Sequence, residues 1–227
     1  MSAPLVKICC IANEAEARLA LSLGASALGL VSQMPSGPGV VPDAVIAGVA
    51  RALRGEAARS FLLTARTTAE AIAEQHVAAG TTTLQLVDHV PPAELQHLRR
   101  LCPGVELVQV IHVRGDASVA EALAVTPLVD AVLLDSGNPL LAVKELGGTG
   151  RTHDWATSRR IRDAVHPLPV WLAGGLRAHN VAQAIAQVQP FGLDLCTGVR
   201  KEGRLDAALL ADFMAAVRDA GAPRATR

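Results

Sequence analysis

Aromatic residues are almost missing from this chain. Its 227 residues include two Trp, three Phe and no Tyr, 2% in all. A surface that binds nucleic acid by stacking bases on rings is therefore excluded. A charge surplus is missing too, because 21 Lys and Arg balance 21 Asp and Glu. Without it nothing draws the chain to a polyanion or an anionic membrane. No run approaches the roughly 18 continuous apolar residues of a membrane-spanning helix. The start, Met1-Ser-Ala-Pro, lacks a basic region followed by a long apolar stretch, so no secretory signal is expected. Cysteines are few: Cys9, Cys10, Cys102 and Cys196. None forms a Cys-x-x-Cys pair, and no His lies at zinc-ligand spacing from them. Neither a metal centre nor a structural disulfide is expected, as in a reduced, cytoplasmic protein.

What the chain does have is apolar residues, at 50%. That is too many for a disordered chain, and the core must be Ala, Val, Leu and Ile. Short apolar runs read as buried strands: 5–11, 27–31, 60–65, 82–87, 106–113, 131–135, 169–173 and 192–197. Several are nearly continuous Val, Leu and Ile, as in a parallel sheet covered on both faces. Between them, segments of helical period cover 14–23, 43–54, 69–79, 93–101, 118–124, 156–165, 180–189 and 207–220. Pro42 and Pro92 stand where helices begin, where a missing N–H costs nothing. Gly24, Gly55, Gly80 and Gly221 stand where helices end.

Eight strand–helix units in 227 residues are about 28 residues each, which fits a single (β/α)₈ barrel over residues 1–221. The tail Ala222–Arg227 is expected to be loose. A doubly wound sheet is the alternative, but the first turn, Cys10-Ile-Ala-Asn-Glu14, has no Gly-x-Gly-x-x-Gly. In a barrel, function resides at the C-terminal strand ends.

Strand 1 ends Lys7-Ile8-Cys9-Cys10. Period-two alternation puts Lys7 and Cys9 inside the barrel, and Val6, Ile8 and Cys10 against the helices. A thiolate at Cys9 could act as a base, favoured by a nearby ammonium. A small buried hydrophobe is the plainer alternative. Strand 6 ends in Asp135, a carboxylate that is costly to bury unless used or paired. Capping the following turn is its structural alternative. Asp194, flanked by apolar residues on strand 8, either orients a substrate or pairs with Lys7. His112 is the only histidine deep in a predicted strand and is read as structural.

Glycines cluster on three consecutive loops: Gly147-Gly148-Thr149-Gly150, Ala173-Gly174-Gly175 and Thr197-Gly198. Glycine lets backbone N–H groups approach an anion closely. In barrels a phosphate often sits at loops 7 and 8 beside a helix N-terminus. A base, an acid and a phosphate grip suit proton transfer on a phosphorylated sugar.

Five stretches together carry a family resemblance: Val6-Lys-Ile-Cys-Cys-Ile11, Leu133-Leu-Asp135, Gly147-Gly-Thr-Gly-Arg-Thr-His-Asp-Trp155, Leu172-Ala-Gly-Gly-Leu176 with Asn180-Val181, and Gly192-Leu-Asp-Leu-Cys-Thr-Gly-Val199. The chain resembles the phosphoribosylanthranilate isomerases, from Val6 to the last helix. That resemblance implies a (β/α)₈ barrel of tryptophan biosynthesis without cofactor or metal, acting on a small phosphorylated sugar amine as a monomer or homodimer. It implies an Amadori rearrangement. Asp135 would be the general acid that opens the furanose to a Schiff base, and Cys9 the general base that removes the C2′ proton. Gly147, Gly148, Thr149, Gly150, Ala173, Gly174, Gly175, Thr197 and Gly198 would line the phosphate end. Lys7 would be among the substrate-binding residues, and Asp194 would lie near the anthranilate.

The chain departs from the family pattern at four places. Cys10-Ile-Ala12 replaces Gly-Ile-Thr, and Ser36-Gly-Pro-Gly39 replaces Ser-Pro-Arg-Tyr, so no arginine follows strand 2. Val87-Asp88 replaces His-Gly, and Arg200 replaces a glutamate. These departures leave two readings open: retained chemistry on a changed amine, or a weakened enzyme in which Arg200 restores the lost positive charge. A relative that only binds a phosphosugar, and another phosphosugar enzyme on this scaffold, also stay open.

Overall fold

Val, Leu and Ile runs that are apolar on both faces must be covered on both faces, and a closed barrel ringed by helices does this. The computed structural model describes residues 3–221, and the expected tail at 222–227 lies outside them. The elements follow in strict alternation: β1 (Leu5–Ile8), α1 (Glu14–Ser22), β2 (Ala27–Val31), α2 (Asp43–Ala52), β3 (Arg59–Thr64), α3 (Ala69–Ala79), β4 (Thr83–Leu86) and α4 (Pro92–Leu101). Then come β5 (Glu106–His112), α5 (Ala117–Val125), β6 (Ala131–Asp135), α6 (Trp155–Val165), β7 (Val170–Leu172), α7 (Val181–Val188), β8 (Gly192–Leu195) and α8 (Ala207–Gly221). Each strand pairs in parallel with the next, and β8 closes on β1 with Lys7 opposite Asp194.

Local chemistry sets the helix ends. Asn13 caps α1 by accepting from the Glu16 N–H at 3.0 Å. Asp154 caps α6, accepting from the N–H groups of Ala156 and Thr157. Pro92 is the first residue of α4, and α3 ends at Gly80 in the left-handed conformation.

The core has two layers. Val6, Ile8, Leu28, Leu30, Leu62 and Leu84 point outward and pack under the helices. Each such side chain, once buried, stabilises the fold by roughly 1.5–3 kcal/mol. Cys9, Ala27, Phe61, Val108, Leu133 and Trp171 fill the barrel interior. Trp171 is fully buried and meets the rings of Phe61 and Phe191 edge-on at 5.6 Å. Lys7 is fully buried below the mouth, with its Nζ 2.9 Å from Asp194 and 5.1 Å from the Phe61 ring centre. The pairing read as an alternative role for Asp194 is therefore present. Among the described residues no helix is long and apolar enough to cross a membrane.

Two expectations need correction. Strand 1 was expected to run to Ile11 with Cys10 facing the helices. Instead β1 ends at Ile8 and Cys10 adopts φ +63°, which breaks the alternation and turns its side chain to the interior cluster. Strand 8 was expected to reach Thr197. It stops at Leu195, because Thr197–Val199 form a 3₁₀ turn. A small hairpin follows, β9 (Arg200–Lys201) with β10 (Arg204–Leu205), which the hydrophobic pattern did not show.

Candidate active site

The C-terminal ends of the strands open into one cavity with about 680 Å³ of unfilled space, part of it open to solvent. Its lining includes Cys9, Asp135, Gly147, Gly148, Thr149, Gly150, Ala173, Gly174, Gly175, Asp194, Thr197 and Gly198. Residues separated by up to 189 positions in the chain are thus brought together. Two expected residues are not part of this lining. Lys7 lies beneath it, paired with Asp194. Arg200 lines a neighbouring cleft with Cys10, Pro38, Gly39, Cys196 and Thr197.

Asp135 is the last residue of β6 and is 8% exposed. Burial pushes its carboxyl above the usual carboxylate range, and the charge of Asp194 pushes the same way. The Ser136 N–H, donating to Oδ1 at 2.7 Å, and nearby His112 oppose the shift without cancelling it. Space around Asp135 depends on Gly147 (φ +137°), where a Cβ would stand 2.7 Å from Asp135 Oδ2. Ser136 Oγ also meets Thr149 Oγ1 at 2.7 Å, which ties the strand end to the glycine loop.

Cys9 follows β1 on the same face as Lys7, as alternation predicts. Its N–H donates to Leu195 O at 2.9 Å, so the strand pairing extends to the thiol-bearing residue. Gly29 makes room for it, since a Cβ there would lie 2.9 Å from Cys9 Sγ. Cys10 and Cys196 sit with their Sγ atoms 2.6 Å apart.

The end of the cavity expected to take the phosphate is lined by three glycine loops. Gly174 and Gly175 follow β7, and Thr197 and Gly198 open the turn after β8. Asn180 holds the first of these loops, accepting from Arg177 N–H at 2.8 Å and donating to Gly175 O at 3.0 Å. A Cβ on Gly198 would lie 2.1 Å from Leu176 O, so the two loops touch through a glycine.

Several lining residues were not among the expected site residues. Val31, Met34, Leu63 and Leu146 form an apolar wall, and Ser36, Gly37 and Pro38 from the β2–α2 loop close one side. Gln85 is buried in the lining, and its Oε1 has no hydrogen-bond partner among the described residues. A polar residue mid-strand in Thr82–Val87 was the available signal for Gln85. No aromatic residue belongs to this lining. His112 is buried, with Nε2 3.0 Å from Val87 O, a structural tie between β5 and the end of β4. Glu70, Glu94 and His97 place three metal-type donors together, but on α3 and α4 outside the cavity.

Comparison with known proteins agrees with this architecture. Residues 68–216 match the family model described as N-(5′-phosphoribosyl)anthranilate isomerase. An enzyme of that name from Thermosynechococcus vestitus is 36% identical over 195 residues, covering 86% of this chain and 80% of the relative. One from Halobacterium salinarum is 34% identical, covering 92% and 94%. The solved phosphoribosyl anthranilate isomerase of Thermotoga maritima superposes with a TM-score of 0.80 at 24% identity, over 95% of this chain and 99% of that one. The chain belongs to the N-(5′-phosphoribosyl)anthranilate isomerase family.

Proposed function

We propose that this chain isomerises N-(5-phosphoribosyl)anthranilate to 1-(o-carboxyphenylamino)-1-deoxyribulose 5-phosphate with Asp135 as general acid and Cys9 as general base. The observation that carries this is one cavity bounded by a buried carboxyl, a thiol and three glycine loops. Asp135 donates its proton to the furanose ring oxygen. The C1′–O bond then breaks, and the nitrogen lone pair forms the Schiff base. Cys9, as thiolate, takes the C2′ proton, and the electron pair of that C–H bond moves towards nitrogen to give an enolamine. The enolamine tautomerises to the ketone. These steps use no cofactor, and the active form is a monomer or a homodimer. A reduced cytoplasm would keep the thiols available.

The glycine loops hold the phosphate by backbone N–H groups, which explains how a chain of zero net charge binds an anion. The aromatic ring lies against Val31, Met34, Leu63 and Leu146 instead of on another ring. A fluorescence assay with phosphoribosylanthranilate tests the whole reading. Turnover by wild type that is lost in Cys9→Ala and in Asp135→Asn supports it. Absent wild-type turnover with retained binding of inorganic phosphate would favour a phosphosugar-binding relative. Within this frame Gly198→Ala must push the two phosphate loops apart. Its expected effect is a KM raised about tenfold, roughly 1.4 kcal/mol of binding, with kcat little changed. Steady-state kinetics and inhibition by inorganic phosphate measure it.

A further inference from the structure

We infer that Arg200, held by Glu16, is a positioning residue for Cys9: it fixes the backbone of the loop that presents the thiol to the cavity. The inference rests on Cys9 being the base.

The loop after β1 has an unusual need. Cys10 adopts φ +63°, a conformation that residues with a side chain rarely keep unless their surroundings impose it. Its carbonyl and that of Cys9 face the same group. Arg200 Nη2 donates to Cys9 O at 3.1 Å and to Cys10 O at 2.6 Å. The guanidinium is in turn fixed by further contacts from the same nitrogen and from Nη1. Nη2 reaches Glu16 Oε2 at 3.1 Å, and Nη1 reaches Glu16 Oε1 at 3.2 Å and Gly203 O at 3.1 Å. Glu16 accepts further bonds from the N–H groups of Ala12 and Leu205. The two side chains are only 7% and 12% exposed, so water competes little for these contacts.

One planar group therefore joins the β1–α1 loop, helix α1 and the β9–β10 hairpin. Its fork-like donors suit this task, and a lysine ammonium could not span two carbonyls and a carboxylate in the same geometry. Arg200 is not part of the main cavity lining, so it acts through the loop and not as a partner for the substrate. This places on the protein's own backbone the positive charge that one of the two open readings assigned to the substrate. It also joins two departures from the family pattern, since Cys10 stands where that pattern has glycine and Arg200 where it has glutamate.

The test uses the full chain with Arg200→Lys, and the charge-neutral double variant Arg200→Gln/Glu16→Gln. Each is assayed below its melting temperature with phosphoribosylanthranilate. Cys9 alkylation by iodoacetamide is followed by mass spectrometry of the tryptic peptide 8–18. For both variants the expected result is kcat lowered tenfold or more, KM and phosphate inhibition within twofold of wild type, and Cys9 alkylation changed at least threefold. A kcat within twofold of wild type in folded Arg200→Lys would overturn the inference. So would a raised KM with kcat unchanged, which would mark a substrate contact, or an unaltered alkylation rate. The alkylation readout needs no turnover. If Cys9→Ala keeps wild-type activity, the base assignment fails, while the alkylation rates still judge the positioning of the loop.

Discussion

Asp135→Asn is expected to lower kcat by about a hundred- to ten-thousandfold, the range typical for loss of a general acid or base. The amide is close in shape and can still accept from the Ser136 N–H, so binding should change little. Stability should move the other way. Burial raises the Asp135 pKa above its unfolded value. Such a group contributes stability that is fully present below the unfolded carboxylate range. That contribution is lost as pH rises through the folded value. The asparagine never ionises, so the variant should melt at or above the wild-type temperature at pH 8, with the difference shrinking towards pH 4. In the wild type, kcat should fall as pH rises through the same raised value, because the acid then arrives without its proton. A pH series of kcat and melting temperature checks both directions. A variant with near-wild-type kcat would remove Asp135 from the mechanism.

Cys9→Ala should cost a similar hundred- to ten-thousandfold in kcat. Here the stability change should be small, since removing one sulfur from a nearly buried site leaves a cavity worth about 1 kcal/mol. The diagnostic measurement is the isotope effect with substrate deuterated at C2′. Loss of the base makes C2′ proton removal limiting, so the residual activity should show a larger primary effect than the wild type. An unchanged isotope effect with unchanged rate would return Cys9 to the plainer role of a small buried hydrophobe. The double variant with Asp135→Asn should lose little more than either single change if one blocked step already stops turnover.

Much of the site was legible because it follows a short-range rule. Alternation along β1 placed Lys7 and Cys9 on the interior face, and the structure finds both there. Asp135 was visible as a carboxylate closing an apolar strand. The glycine clusters were visible because close backbone approach has a compositional signature. Alternation failed at Cys10, whose turn depends on the left-handed conformation, on hydrogen bonds from Arg200 and on a second thiol 186 positions away. Gln85 was not taken as a site residue for a related reason. A buried amide in a strand shows a site only when the cavity beside it is known.

Hydrophobic period and turn residues determined eight strand–helix units by themselves, and with them a single barrel whose strand ends carry the chemistry. These signals act over a few residues, so they can be read along the chain. Tertiary structure alone decided the partners. It set Lys7 against Asp194, buried Asp135 so that its pKa rises, and turned Arg200 from the cavity to the Cys9 and Cys10 carbonyls. Each of these depends on burial and on distances of about 3 Å between residues far apart in sequence, where electrostatic and hydrogen-bond energies are fixed by the closed barrel and not by spacing along the chain.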